Sequence, residues 1–290
     1  SGEASSDILL SVTAIWHIEE IPKVPGYEEF YETAIQQYDL SPDGSLWGVH
    51  TYEGVGPPRY LIHVVDGVLE HYEELPWDKA GNLTIDRNGN PALVRADKVP
   101  PELPPTYEYY LVRKVQGAWE AEKLDFPASK LFFDSQNRPV IVFSRRLGFN
   151  SSDLWVARKP GEEWELTQVR EAGPAISHVC AQQGTDDKLR IAFSSDSDVY
   201  LSRESGVSYQ TEMLGNGGQG ASDYTWFGIA GLSIDELNHE YLLLMEKVED
   251  QVAPWLKHQT AVAASNSDGE WDFSELRSET ATDDAQLGWK

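Results

Sequence analysis

Four arginines, Arg59, Arg95, Arg145 and Arg146, stand out as groups able to do chemistry in a chain that is otherwise acidic. A guanidinium presents a rigid fork of N–H donors that matches a carboxylate or a pair of hydroxyls. The stretches around them are rich in aromatic residues: Tyr52, Trp77, Tyr107, Trp226 and Trp255, with Tyr27, Phe30, Tyr31, Phe149 and Tyr224. Flat rings stack on the apolar faces of sugars. Arginine forks and aromatic platforms on one surface would therefore bind a glycan, or a protein ligand. The competing reading has each ring packing its own loop and each base pairing with a neighbouring acid. That reading is simpler for any single residue; for the set we expect a binding face.

Other chemistry has no matching pattern. There is no GxSxG, HExxH or CxxC, and Gly215-Asn-Gly-Gly-Gln-Gly220 lacks the Lys-Ser/Thr and following helix of a phosphate loop. The seven histidines, His17, His50, His63, His71, His178, His239 and His258, show no pair at short metal-ligand spacing. Cys180 is the single cysteine, so no internal disulfide forms, and its apolar setting Ile176-Ser-His-Val-Cys-Ala181 reads as an inert buried thiol. No metal and no cofactor are expected. Paired carboxylates would serve a glycosidase, but 48 acids supply candidates everywhere and single out none.

These residues are carried on a recurring unit. Leu131–Arg146 reads as an apolar strand, the polar turn Asp134-Ser-Gln-Asn137, and a β-branched strand Val140-Ile-Val-Phe143. Matching turns centre on Gly44, Gly89, Asp187 and Asn238, so the five turns lie 45, 48, 50 and 51 positions apart. That period fits four-stranded propeller blades. A hairpin completes each unit, as in Tyr109–Arg113 with Trp119–Leu124, and an aromatic residue opens the last strand at Trp119, Trp164, Tyr209 and Trp271. Such rings are expected to pack between blades.

The turn Ser265-Asn-Ser-Asp-Gly-Glu-Trp271 resembles the Asp-box of sialidases and related propellers, with a contracted Asp-Gly-x-Trp spacing. Ser41-Pro-Asp-Gly-Ser-Leu-Trp47 is a second contracted version on a different turn. The resemblance implies a β-propeller with degenerate sialidase-like repeats, in which the motif is structural. The Arg-Ile-Pro motif of sialidases is missing, so no catalytic residue carries over.

We therefore expect an all-β chain: residues 1–6 disordered or tag-like, and 7–290 a single β-propeller domain. Five full units plus a composite blade from Ile8–Ile21 and the tail near Ala285–Trp289 give six blades of about four antiparallel strands, closed by both termini. Five blades is the alternative. The nine residues of the binding set then fall in the longer connections on one face, where loops on a rigid scaffold tend to hold function.

A net charge of −25, from 48 acidic and 23 basic residues, excludes an unspecific nucleic-acid binder, which needs basic surface. No run approaches the ~20 apolar residues of a membrane helix, so no membrane insertion is expected. The expectation is an extracellular or periplasmic monomer that binds carbohydrate, read as a binding module with enzymatic activity left open. A polysaccharide-active glycoside hydrolase or lyase is the first alternative, and a protein-interaction scaffold the second.

Overall fold

The computed structural model describes residues 24–26, 37–50, 59–77, 80–99, 106–196, 198–216, 226–249, 256–266 and 271–282. Every regular element among them is a β-strand. Twenty strands form five four-stranded sheets, each an antiparallel meander of consecutive strands. The first sheet is β1 (Gln37–Leu40), β2 (Leu46–His50), β3 (Arg59–Val65) and β4 (Val68–Leu75). The second is β5 (Ala80–Ile85), β6 (Pro91–Val99), β7 (Thr106–Val115) and β8 (Ala118–Leu124). The third is β9 (Lys130–Phe133), β10 (Pro139–Arg146), β11 (Ser151–Arg158) and β12 (Glu165–Pro174). The fourth is β13 (Ile176–Gln183), β14 (Leu189–Ser195), β15 (Asp198–Ser205) and β16 (Ser208–Asn216). The fifth is β17 (Trp226–Ile234), β18 (Glu240–Glu249), β19 (Leu256–Asn266) and β20 (Trp271–Thr282).

These are the five blades of a β-propeller, which corrects the six-blade expectation in favour of its alternative. The physical reason is that each blade draws all four strands from its own stretch of chain, so none needs a strand from a terminus. The stretches expected to build the composite blade, 8–21 and 285–289, lie outside the described residues. The chain divides into two compact units, Ser1–Leu124 with the first two sheets and Asp125–Lys290 with the other three.

Turn chemistry sets the period. Gly44, Gly89, Asn137, Asp187 and Asn238 all have positive φ, between 59° and 85°. Glycine adopts this region freely and Asn or Asp tolerate it. In each turn the residue three places earlier accepts its N–H, as Asp134 O does from Asn137 at 2.9 Å. The Asp134 carboxylate also accepts from the N–H groups of Gln136 and Arg138, at 2.9 and 2.8 Å. Asp86 and Asp235 repeat this pattern. The tighter hairpins at Asp66-Gly67 and Gln116-Gly117 have two successive positive φ values, which suits a two-residue connection between twisted strands.

Burial is high in the second strands of the first four sheets and low in the fourth strands of the first three. Val140-Ile-Val-Phe143 and all of β14 are buried on both faces, whereas β4, β8 and β12 alternate or lie open. Within the second unit, Val140, Val142, Leu154 and Val156 pack against Leu189, Ile191 and Phe193 of the next sheet. Each such side chain gains roughly 1.5–3 kcal/mol from leaving water, and this joins sheet to sheet.

Candidate functional site

Six members of the expected set lie in strands. Arg59 opens β3, Arg95 lies in β6, Tyr107 in β7, Arg145 and Arg146 end β10, and Trp226 opens β17. Loop placement is therefore corrected for them: ladder bonds are made by the backbone, so pairing runs on past polar side chains. Trp77 lies in the connection between β4 and β5. Tyr52 and Trp255 fall outside the described residues, and of Trp226 only the strand position is described.

In the first unit, Trp77 and Arg95 come together. The Arg95 guanidinium lies 5.3 Å from the Trp77 ring centre and 4.4 Å from that of Tyr110, and it pairs with Asp97. Trp77 also meets Trp119 edge to face at 5.5 Å. This ring–cation stack closes over the cluster of Leu75, Leu83, Leu93 and Val112. Here the packing alternative applies: both side chains are committed to the fold. Tyr107 is exposed and Arg59 partly buried.

In the second unit, Arg145 Nη2 donates to Asp153 Oδ2 at 2.7 Å, and its guanidinium lies 5.0 Å from the Trp155 ring. Asp153 sits where the β11–β12 register shifts, and bulges of this kind re-aim side chains. Burial pushes the Asp153 carboxyl upward, but Arg145 and the nearby Trp155 N–H bring it below the usual aspartate range. That N–H approaches Asp153 without completing a hydrogen bond of good geometry. The turn that follows β10 is open. Leu147 and Gly148 both donate their N–H to Ser151 O, Arg146 Nη2 reaches Phe149 O at 3.4 Å, and Phe149 is 88% exposed.

Beside this turn, at the same end of the sheets, the chain passes from β12 to β13 through Ala175 alone. Ser152 Oγ accepts the Ile176 N–H at 2.9 Å, and Ser195 Oγ donates to Pro174 O at 3.0 Å, so the crossing is pinned from both sides. At the head of β13 the register shifts again, and Ser177 and His178 are both exposed. Their side chains meet the fully buried Ser194. The Ser177 and Ser194 hydroxyls are 2.8 Å apart, and His178 Nδ1 lies 3.1 Å from each. The imidazole faces Gly228 of β17; a Cβ there would lie 3.5 Å from His178 Cε1.

Sequence reading passed over Ser177 and His178 because no motif contains them. The available signal was the pair Ser194-Ser195 closing the otherwise apolar Leu189-Arg-Ile-Ala-Phe193, opposite an adjacent Ser-His.

Asp43, Glu108, Asp153, Asp186, Glu212 and Asp235 are all held below their usual range by hydrogen bonds or nearby cations. Among the described residues no group of three or more His, Cys, Asp or Glu could hold a metal ion.

No family model matches this chain. No curated protein matches it either. Solved structures do. A protein of unknown function from Dyadobacter fermentans aligns over 88% of this chain and 96% of its own, at 10% identity and a TM-score of 0.52. An ulvan lyase, a polysaccharide lyase, aligns over 84% of this chain and 74% of its own, at 11% identity and a TM-score of 0.52. A Hadza microbial sialidase aligns over 82% of this chain and 57% of its own, at 11% identity and a TM-score of 0.51. At such identities the likeness is one of fold.

Proposed function

We propose that this protein is a carbohydrate-recognising β-propeller, acting as a monomer in an extracellular or periplasmic setting. The observation that carries the reading is Phe149. It stands in the β10–β11 turn at 88% exposure, and the exposed Arg146 reaches its carbonyl. An aromatic this exposed contributes little to the core, yet offers a flat apolar face with the Arg146 donors nearby. A sugar ring stacks on such a face while its hydroxyls take the arginine donors. The sialidase and the polysaccharide lyase that share the fold add support for carbohydrate as the ligand class.

The depressed carboxylates count against the glycoside-hydrolase alternative. Such an enzyme needs one carboxyl held protonated near neutral pH, whereas Asp43, Glu108, Asp153, Asp186, Glu212 and Asp235 are shifted the other way.

The test is a glycan array followed by titration calorimetry. Phe149→Ala lowers affinity about tenfold, a loss of roughly 1.4 kcal/mol, with the melting temperature unchanged. A wild-type protein that binds no neutral or acidic glycan rejects the reading and favours the interaction scaffold.

A further inference from the structure

We infer that Ser177 and His178, held in place by Ser194, form a second, polar subsite that reads the hydroxyls of a neutral sugar. The inference rests on the carbohydrate reading and names the ligand class of that same end of the second unit.

Three observations carry it. First, the cluster is built rather than incidental. Ser194 is 0% exposed near the end of a fully buried strand, next to Ile191, Ala192 and Phe193. A hydroxyl buried there is costly unless bonded, and it bonds to the two exposed side chains on the neighbouring strand. The register shift between Ile176 and His178 turns those two side chains toward it. Second, Nδ1 is occupied by the serines, and Nε2, on the side of the ring that faces Gly228, makes no hydrogen bond to any described residue. A serine hydroxyl donates or accepts as its rotor turns. Either tautomer of His178 is thus satisfied on its inner side, and Nε2 offers a donor or an acceptor. A sugar hydroxyl, itself both, matches that ambivalence, and the exposed Ser177 Oγ supplies a second contact for an adjacent hydroxyl. Third, the electrostatics favour an uncharged ligand. His178 forms no ion pair with any described residue, Arg145 is neutralised by Asp153, and the chain carries −25 overall. An acidic polysaccharide would be repelled at long range.

The experiment is calorimetric titration of the whole chain with neutral oligosaccharides (gluco-, xylo- and manno-configured) and with oligogalacturonate. Wild type, His178→Ala, Ser194→Ala and Phe149→Ala are compared, each with its melting temperature. We expect neutral oligosaccharides to bind with little salt dependence, His178→Ala to weaken them about tenfold, and Ser194→Ala to weaken them less. His178 is exposed, so its variant keeps the wild-type melting temperature and reports on binding alone. Neutral binding that His178→Ala leaves unchanged while Phe149→Ala weakens it overturns the subsite and leaves the carbohydrate reading standing. Preference for oligogalacturonate, with affinity falling as salt rises, overturns the neutral class. A wild type that binds none of them overturns both.

Discussion

Arg203 on β15 grips Glu240 on β18 with both arms: Nε donates to Oε1 at 2.7 Å and Nη2 to Oε2 at 2.5 Å. The fork-to-fork geometry joins the fourth sheet to the fifth. Arg190 adds a longer bond to the same carboxylate at 3.4 Å and holds Asp186 at 2.5 Å, while Glu212 takes Arg203 on one side and the Trp271 N–H on the other. Glu240 is only 4% exposed and Arg190 7%.

Removing Glu240 leaves Arg203 and Arg190 with only their outer partners, Glu212 and Asp186, and empties the buried centre of the clasp. Breaking a buried pair from one side costs about 3–5 kcal/mol. Glu240→Ala is expected to lower the urea midpoint by that equivalent, and Glu240→Gln by less, because the amide still accepts hydrogen bonds. Equal, small effects from both variants would show that solvent screens the clasp.

The period of this fold was legible because the turns are under backbone constraint. Gly44, Gly89, Asn137, Asp187 and Asn238 adopt positive φ, so few residue types fit and the pattern repeats visibly from blade to blade. The binding set was read less well, for a different reason. Arg95 and Arg145 looked like loop residues because they are charged, but their backbones are paired and their side chains serve as rivets. Ser177, His178 and Ser194 are joined by a strand pairing that brings together positions 17 apart in the chain. No local pattern marks such a triplet before the register is known.

Gly44 tests the turn argument. Its φ is +85°, and nothing lies within 4 Å of the place a methyl group would take, so Gly44→Ala adds backbone strain without a clash. The expected loss is about 1 kcal/mol. Gly44→Asn is expected to lose under half of that, since Asn137 and Asn238 hold the same place in sister turns. Chemical denaturation of the two variants measures the difference.

Gly184 tests the limit of the repeat. It opens the fourth blade's turn where Asp86, Asp134 and Asp235 open others, so a consensus change would be Gly184→Asp. A Cβ at Gly184 would collide with Asn238 Oδ1 and stand 2.7 Å from Asp186 Oδ1 and 2.8 Å from Arg190 Nη1. Asp186 and Arg190 are tied to one another and cannot simply swing away. Gly184→Asp is therefore expected to destabilise by about 1–3 kcal/mol, read as a fall in the urea midpoint. A gain in stability would show that the turn relaxes.

His50 gives the chain a pH dependence of definite sign. It is 1% exposed, and burial lowers its pKa from 6.5 to about 4. The unfolded chain takes up its proton near the ordinary value while the folded chain refuses it. Stability from this group is complete above pH 6.5, falls below it, and is lost once the pH has passed through the folded value. The integrated effect is about 3 kcal/mol. Asp186, Glu212 and Asp235 also titrate below their ordinary values, and their contribution is lost at still more acid pH. Denaturation midpoints for wild type and His50→Leu should converge in slope below pH 4 and diverge between pH 4 and 6.5. Parallel curves across that window would place His50 in contact with solvent.

Arg145 and Arg146 are neighbours with opposite expected behaviour. Arg145 supports Asp153, whose side chain is 2% exposed and whose second oxygen has no hydrogen-bond partner among the described residues. Arg145→Ala strands that carboxylate, but half of the Arg145 side chain lies in water and screens the pair, so a loss of about 1–2 kcal/mol is expected. Arg146 is exposed and touches only Phe149 O among described partners, so Arg146→Ala should stay within about 0.5 kcal/mol of wild type. Loss of glycan affinity in the Arg146 variant would thus report contact with the ligand, whereas loss in the Arg145 variant would have to be measured against its stability. A stability loss in Arg146→Ala as large as that in Arg145→Ala would show that both arginines hold the turn.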